Sequence, residues 1–193
     1  NGHLAVRTGI SDQIAIYNAT RPFLESHVLQ RIQALPNVTV LGNHDFTEFL
    51  GDAKRVAGVR IADRASGVVS ELPADLVVDA TGRGSRTPTL LARWGYRSPR
   101  VDEVHVNLTY VSQLLRPASG AFRESGGVVS PVPGRPTGVA FSRCEDDMLF
   151  VTVFGMAGHH PPADADAFGS FAAEFAPPHL LAAIQASNPV TPI

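Results

Sequence analysis

The strongest constraint on the fold is a junction over residues 76–95. Leu76-Val77-Val78 is an unbroken apolar run, the pattern of a strand buried on both faces of a parallel sheet. It leads straight into Asp79-Ala80-Thr81-Gly82-Arg83-Gly84-Ser85-Arg86. Thr87-Pro88 then reads as the N-cap and first residue of a helix that runs through Trp94 and stops at Gly95. A glycine turn that leaves a strand and enters a helix offers backbone N–H groups to a phosphate or a nucleotide. Gly82 and Gly84 allow a ligand to approach the backbone closely. The same turn also serves simply to connect strand to helix, and short glycine motifs match by accident. Position 87 is Thr where a dinucleotide fingerprint carries its third glycine.

Around this junction the chain reads as two kinds of sheet. Residues 3–19 alternate weakly and suggest short strands. Thr20-Arg21-Pro22 starts a helix over 21–35, with Leu24, Val28, Ile32 and Leu35 on one stripe, and Pro36-Asn37 ends it. Val38–Leu41, Phe46–Leu50, Val56–Ile61 and Val68–Leu72 follow as a small antiparallel meander with turns at Gly51-Asp52 and Ser66-Gly67. After residue 101 alternating segments at 102–116, 126–132, 137–144 and 148–156 predict a second antiparallel sheet with one solvated face. Helices near 164–176 and after Pro177-Pro178 close the chain. The fold class expected is mixed α+β: part of a three-layer nucleotide-binding domain at 20–101, an antiparallel sheet at 102–163, and a helical segment at 164–193. Residues 1–19 are strands of the second domain or a linker.

Composition removes several functions. With 193 residues the chain has core enough to fold without disulfide or metal staples. Sixteen basic and 18 acidic side chains leave a net charge of −2, and no basic block exists to neutralise a row of phosphates, so nucleic acid is excluded as a partner. No apolar run reaches a membrane span, and no signal peptide opens the sequence. The single cysteine, Cys144, fits a reducing, cytoplasmic setting. Fifteen of the 16 basic residues are Arg, which hints at a GC-rich bacterial gene. The chain begins without a Met and stops without a capped helix or polar tail, so it reads as a piece of a longer protein.

The order of elements, with three stretches of residues, resembles the middle of the class A flavoprotein monooxygenases. These are FAD-dependent hydroxylases of the para-hydroxybenzoate hydroxylase type, with related geranylgeranyl-reductase-like and halogenase-like flavoproteins. Arg21-Pro22-Phe23-Leu24-Glu25 is similar to the family's Arg-x-x-Leu helix start, where the arginine approaches the flavin. Asp45-Phe46 is similar to the position whose backbone meets adenine. Ala74–Gly82 resembles the strand and turn that often reads Gly-Ala-Asp-Gly, with Thr81 here in place of the acidic residue. The resemblance implies FAD as cofactor, NAD(P)H as a possible electron donor, a small apolar or aromatic substrate, and Arg21, Asp45, Phe46, Ala80, Thr81 and Gly82 as cofactor-binding residues. It implies no catalytic acid or base in this chain, because the flavin supplies the oxidation chemistry.

Three other readings stay open: a flavin-dependent reductase or halogenase on the same scaffold, a non-catalytic remnant, and a β-rich interaction module. Arg83 and Arg86 flank the turn and are placed to reach a diphosphate or to lie in solvent. Tyr110, Phe141, Phe150 and Phe154 are candidates to line a substrate pocket, or core. His159-His160 lacks further ligands at zinc spacing and reads as a loop, so no metal site is expected. Ser85 lacks a nucleophile elbow and instead suits the free N–H groups of the next helix. Glu145-Asp146-Asp147 reads as a hairpin tip.

Overall fold

The computed structural model describes residues 17–192, so the strands expected over 3–16 lie outside the described residues. Within them the chain is mixed α and β, with two antiparallel sheets. It divides into two compact units, one of residues up to Ile32 with Val104 onward, the other Gln33–Glu103. Residues 20–32, expected with 33–101, thus fall with the later sheet.

Helix α1 (Arg21–Gln33) begins where Thr20-Arg21-Pro22 predicts. The Phe23 amide donates to Thr20 Oγ1 at 3.4 Å and the Leu24 amide to the Thr20 carbonyl at 3.1 Å, the arrangement of an N-cap. An apolar stripe of this kind ordinarily faces a core. Among the described residues it faces none, and α1 has no buried residue.

In the smaller unit, β1 (His44–Gly51), β2 (Val56–Asp63) and β3 (Val69–Pro73) form the antiparallel meander. One face is charged: Arg60 of β2 bridges Glu48 of β1 and Glu71 of β3, its direct cross-strand neighbours. The other face is apolar and built on Phe49 and Ile61. A register shift between Phe46 and Glu48 inserts one extra residue in β1. That bulge brings Phe46 and Phe49, three apart in sequence, close together with ring centroids 4.9 Å apart. A short helix α2 (Thr87–Arg93) follows, and Trp94 at its C-cap lies 6.3 Å from the Phe49 ring.

The larger unit holds a five-stranded sheet. Its strands are β4 (Thr109–Arg116), β5 (Gly126–Val129), β6 (Thr137–Arg143), β7 (Leu149–Gly155) and a two-residue β8 (Asn188–Pro189), in spatial order β5-β6-β7-β4-β8. Helix α3 (Ala165–Ala173), capped by the Asp164 carboxylate on the Ala167 amide at 2.9 Å, and α4 (Pro178–Gln185) cover one face. Leu115, Val139, Leu149, Val151 and Val153 point there and meet Phe168, Ala172, Leu180 and Ile184. Each fully buried large apolar side chain contributes about 1.5–3 kcal/mol, so this cluster is the main core.

Three sequence expectations need correction. Residues 76–79 form no strand: Leu76 and Val78 are 80% and 78% exposed. Val38–Leu41 and 102–108 are likewise irregular, with Val38, Val40, Val104 and Val106 exposed. The reason is common to all three. A strand exists only as part of a ladder, and no described segment pairs with these runs; every pairing among the described strands is antiparallel.

Candidate functional site

In the smaller unit, the apolar face of the meander and the chain from Val77 to Thr81 enclose an open cleft of about 230 Å³. Phe46, Phe49, Val59 and Ile61 form one wall; Val77, Val78, Ala80 and Thr81 form the other. Asp79 and Thr87 close its polar end. The volume lies below the roughly 300–1,000 Å³ of pockets that enclose a drug-sized ligand. It suits one planar ring system, whose faces would meet aromatic and aliphatic carbon.

The turn at the polar end is organised by one carboxylate. Asp79 Oδ1 accepts from the Thr81 amide at 2.8 Å and the Thr81 hydroxyl at 2.5 Å. Oδ2 accepts from the hydroxyls of Ser85 and Thr87. The Ser85, Thr81 and Thr87 hydroxyls and the Thr81 amide hold the Asp79 carboxyl far below the ordinary carboxylate range. Ser85 Oγ in turn accepts from the Thr87 amide at 3.0 Å, the supporting part its sequence position suggested. Gly82 adopts φ +73, a conformation that side chains disfavour, and opens a short 3-10 turn over Gly82–Gly84. Arg86 does not reach outward from this turn. Its Nη2 donates to the carbonyls of Phe46 at 3.2 Å and Thr47 at 3.4 Å, tying the turn to the bulge of β1.

Of the residues the resemblance implies, Phe46, Ala80 and Thr81 line this cleft together. Asp45 lies beside it in sequence but is held by Arg64, at 2.9 and 2.6 Å, which lowers its carboxyl below the usual value. Gly82 shapes the turn without lining the cleft. Arg21 belongs to the larger unit, where its guanidinium lies 3.9 Å from Glu25 one turn on. Phe49, Ile61 and Asp79 were not singled out. For Asp79 a signal was present: hydroxyl residues two, six and eight positions on, the pattern of a carboxylate that gathers a turn around itself.

In the larger unit, the sheet face opposite the helices carries Tyr110, Leu114, Phe150 and Phe154 around a hydrogen-bonded pair, Ser112 and Thr152, at 2.8 Å. Tyr110 is 65% exposed. For Phe141, which was read as pocket lining or core, the core alternative holds. It shares the parity of Val139, so it packs on the helix side, edge-to-face with Phe122 at 5.3 Å. Phe154 lies over Gly138, its cross-strand neighbour, close enough that a Cβ there would come within 2.6 Å of the ring. His160 Nδ1 lies 3.0 Å from the Thr109 hydroxyl. Among the described residues no three His, Cys, Asp or Glu gather as a metal site, and no helix is long and apolar enough to cross a membrane.

No family model matches the sequence. Protein Rv3254 of Mycobacterium tuberculosis is 33% identical over 184 residues, which covers 92% of this chain and 39% of that protein. The chain therefore spans about two fifths of the length of this curated relative, whose name states no activity.

Proposed function

We propose that the chain is the central part of an FAD-dependent oxidoreductase of the hydroxylase type, acting on an apolar or aromatic small molecule. The observation that carries this reading is the cleft. Phe46 and Ala80-Thr81, 34 residues apart, converge on one ring-sized, apolar slot with an ordered turn at its end. The cleft would take one ring system of the cofactor; its size leaves the remainder of a dinucleotide to other parts of the polypeptide. When bound, the flavin supplies the redox chemistry. The residues here hold and orient: Phe46 and Phe49 by ring contact, Ala80 by letting the ligand lie close, Asp79 by fixing the turn. The open sheet face with Tyr110, Phe150 and Phe154 would wall the substrate site. We place the protein in the cytoplasm, a reading supported by the unpaired Cys144.

A reductase or halogenase on the same scaffold is the second reading. It is favoured by Thr81, whose hydroxyl is committed to Asp79 where the common form of the resembled motif has an acid.

The test is to purify the full-length gene product and record its visible spectrum after exhaustive dialysis. Bound flavin released as FAD is the expected result, with Phe46→Ala weakening FAD affinity about tenfold. A colourless protein that takes up no FAD would overturn the reading. The 193-residue chain alone should retain no flavin, because a ring-sized cleft offers too few contacts to offset the entropy of holding a long flexible ligand.

A further inference from the structure

A second pocket, in the larger unit, is independent of the flavin reading. It encloses about 320 Å³ where α3, α4, β4 and β8 meet. Leu115, Phe168 and Ile184 form its floor, and Gln113, Asp166, Ser187 and the exposed Gln185 its polar lining. Gln113 sets it apart. It sits on the helix-facing side of β4, opposite Val151, and is 4% exposed. A position two residues from Leu115 on the core side of β4 calls for an aliphatic side chain. Yet the Gln113 side chain makes no hydrogen bond to any described residue, and its amide is not sealed from the pocket.

We infer that this pocket is a binding site for a small neutral ligand presenting a donor and an acceptor side by side, a carboxamide or lactam, paired with the Gln113 amide. Gln113 offers one acceptor and two donors in a plane, the complement of such a group. The apolar floor suits a ring behind it. No basic side chain lines the pocket, and Asp166 stands at its edge, so a carboxylate ligand is disfavoured. Ser187 Oγ donates to the Ala183 carbonyl at 2.6 Å and is left to act as an acceptor toward the ligand.

Benzamide is the probe, with benzoate as its charged isostere, each titrated into the full-length gene product and followed by ¹H–¹⁵N spectra. Benzamide should bind with millimolar affinity and shift the Gln113 side-chain amide signals, and benzoate should bind at least tenfold more weakly. Gln113→Leu should weaken benzamide at least tenfold while raising Tm, because it removes the amide and puts an aliphatic side chain of similar volume against the core. That rise distinguishes loss of the site from loss of the fold. Three results would overturn the proposal: no benzamide binding below 10 mM, as when water or another segment of the polypeptide fills the pocket; equal binding of benzoate; or benzamide affinity unchanged in Gln113→Leu.

Discussion

At the scale of single residues, Asp79 and Gly138 illustrate two ways in which one side chain, or the lack of one, fixes local structure. Asp79 gathers three hydroxyls and an amide. Its folded pKa is lowered, so the stabilisation it gives the turn is present above the ordinary aspartate value of about 3.9 and is lost as pH falls through the folded value. A carbon-detected titration should therefore find Asp79 ionised at pH 4, with amide protection of residues 80–87 flat between pH 8 and 5. A midpoint near 4 would contradict the network. At Gly138 the constraint is space. An added Cβ would come within 2.4 Å of the Val129 carbonyl oxygen and 2.6 Å of the Phe154 ring. Gly138→Ala should cost about 1–3 kcal/mol in urea unfolding, typical of overpacking. A neutral result would mean that both the Val129 backbone and the Phe154 ring move aside freely.

At the scale of elements, among the described residues α1 is held at its start rather than along its side. The Thr20 amide donates to the Glu145 carboxylate at 2.9 Å, and the Thr20 hydroxyl donates to the same group. Burial pushes the Glu145 carboxyl up, but the Thr20 hydroxyl and amide outweigh it and leave it below its ordinary value. This tether is thus present above about pH 4.3 and weakens below it. Glu145→Ala should speed amide exchange in the first turn of α1 about tenfold at pH 7 while leaving β6 and β7 protected. Equal loss across the sheet would show a different role for Glu145. Which elements the sequence revealed follows from how local their signals are. The helix start at Thr20-Arg21-Pro22, the turns at Gly51-Asp52 and Ser66-Gly67, and the strand alternation of β6 and β7 are written within a few residues of each other. The run Leu76-Val77-Val78 has the right composition for a strand, but pairing depends on a partner distant in sequence. Strand β8 is two residues ending in proline and carries no pattern at all. At the cleft, Phe46, Ala80 and Thr81 were reached through a family resemblance. Phe49 escaped notice because a bulge breaks the period of two on which strand faces are read.

On the scale of the whole molecule, the two units carry unequal cores. The larger has a contiguous cluster from Leu115 to Ile184, whereas among the described residues the smaller buries only Phe49 and Ile61 as hydrophobics. Heating should accordingly give two transitions, the smaller unit melting first, in place of one all-or-none step. Ile61→Ala should lower only the first and Val151→Ala only the second, by about 2–4 kcal/mol each and less for Val151 with its smaller side chain. Calorimetry with residue-resolved exchange reads both. A single transition that both variants shift together would show that the units unfold as one.

The neighbours of β4 also set a schedule. This strand pairs with β7, some forty residues later, and through Leu115 and Arg116 with Pro189 and Asn188, more than seventy residues later. At translation rates of about 5–20 residues per second, β4 is synthesised roughly 4–15 s before its last partner. During that interval Leu115 has neither α4 nor β8 to cover it. The nascent chain therefore carries an open, apolar edge for seconds, and its yield in a cell depends on what shields that edge until β8 arrives.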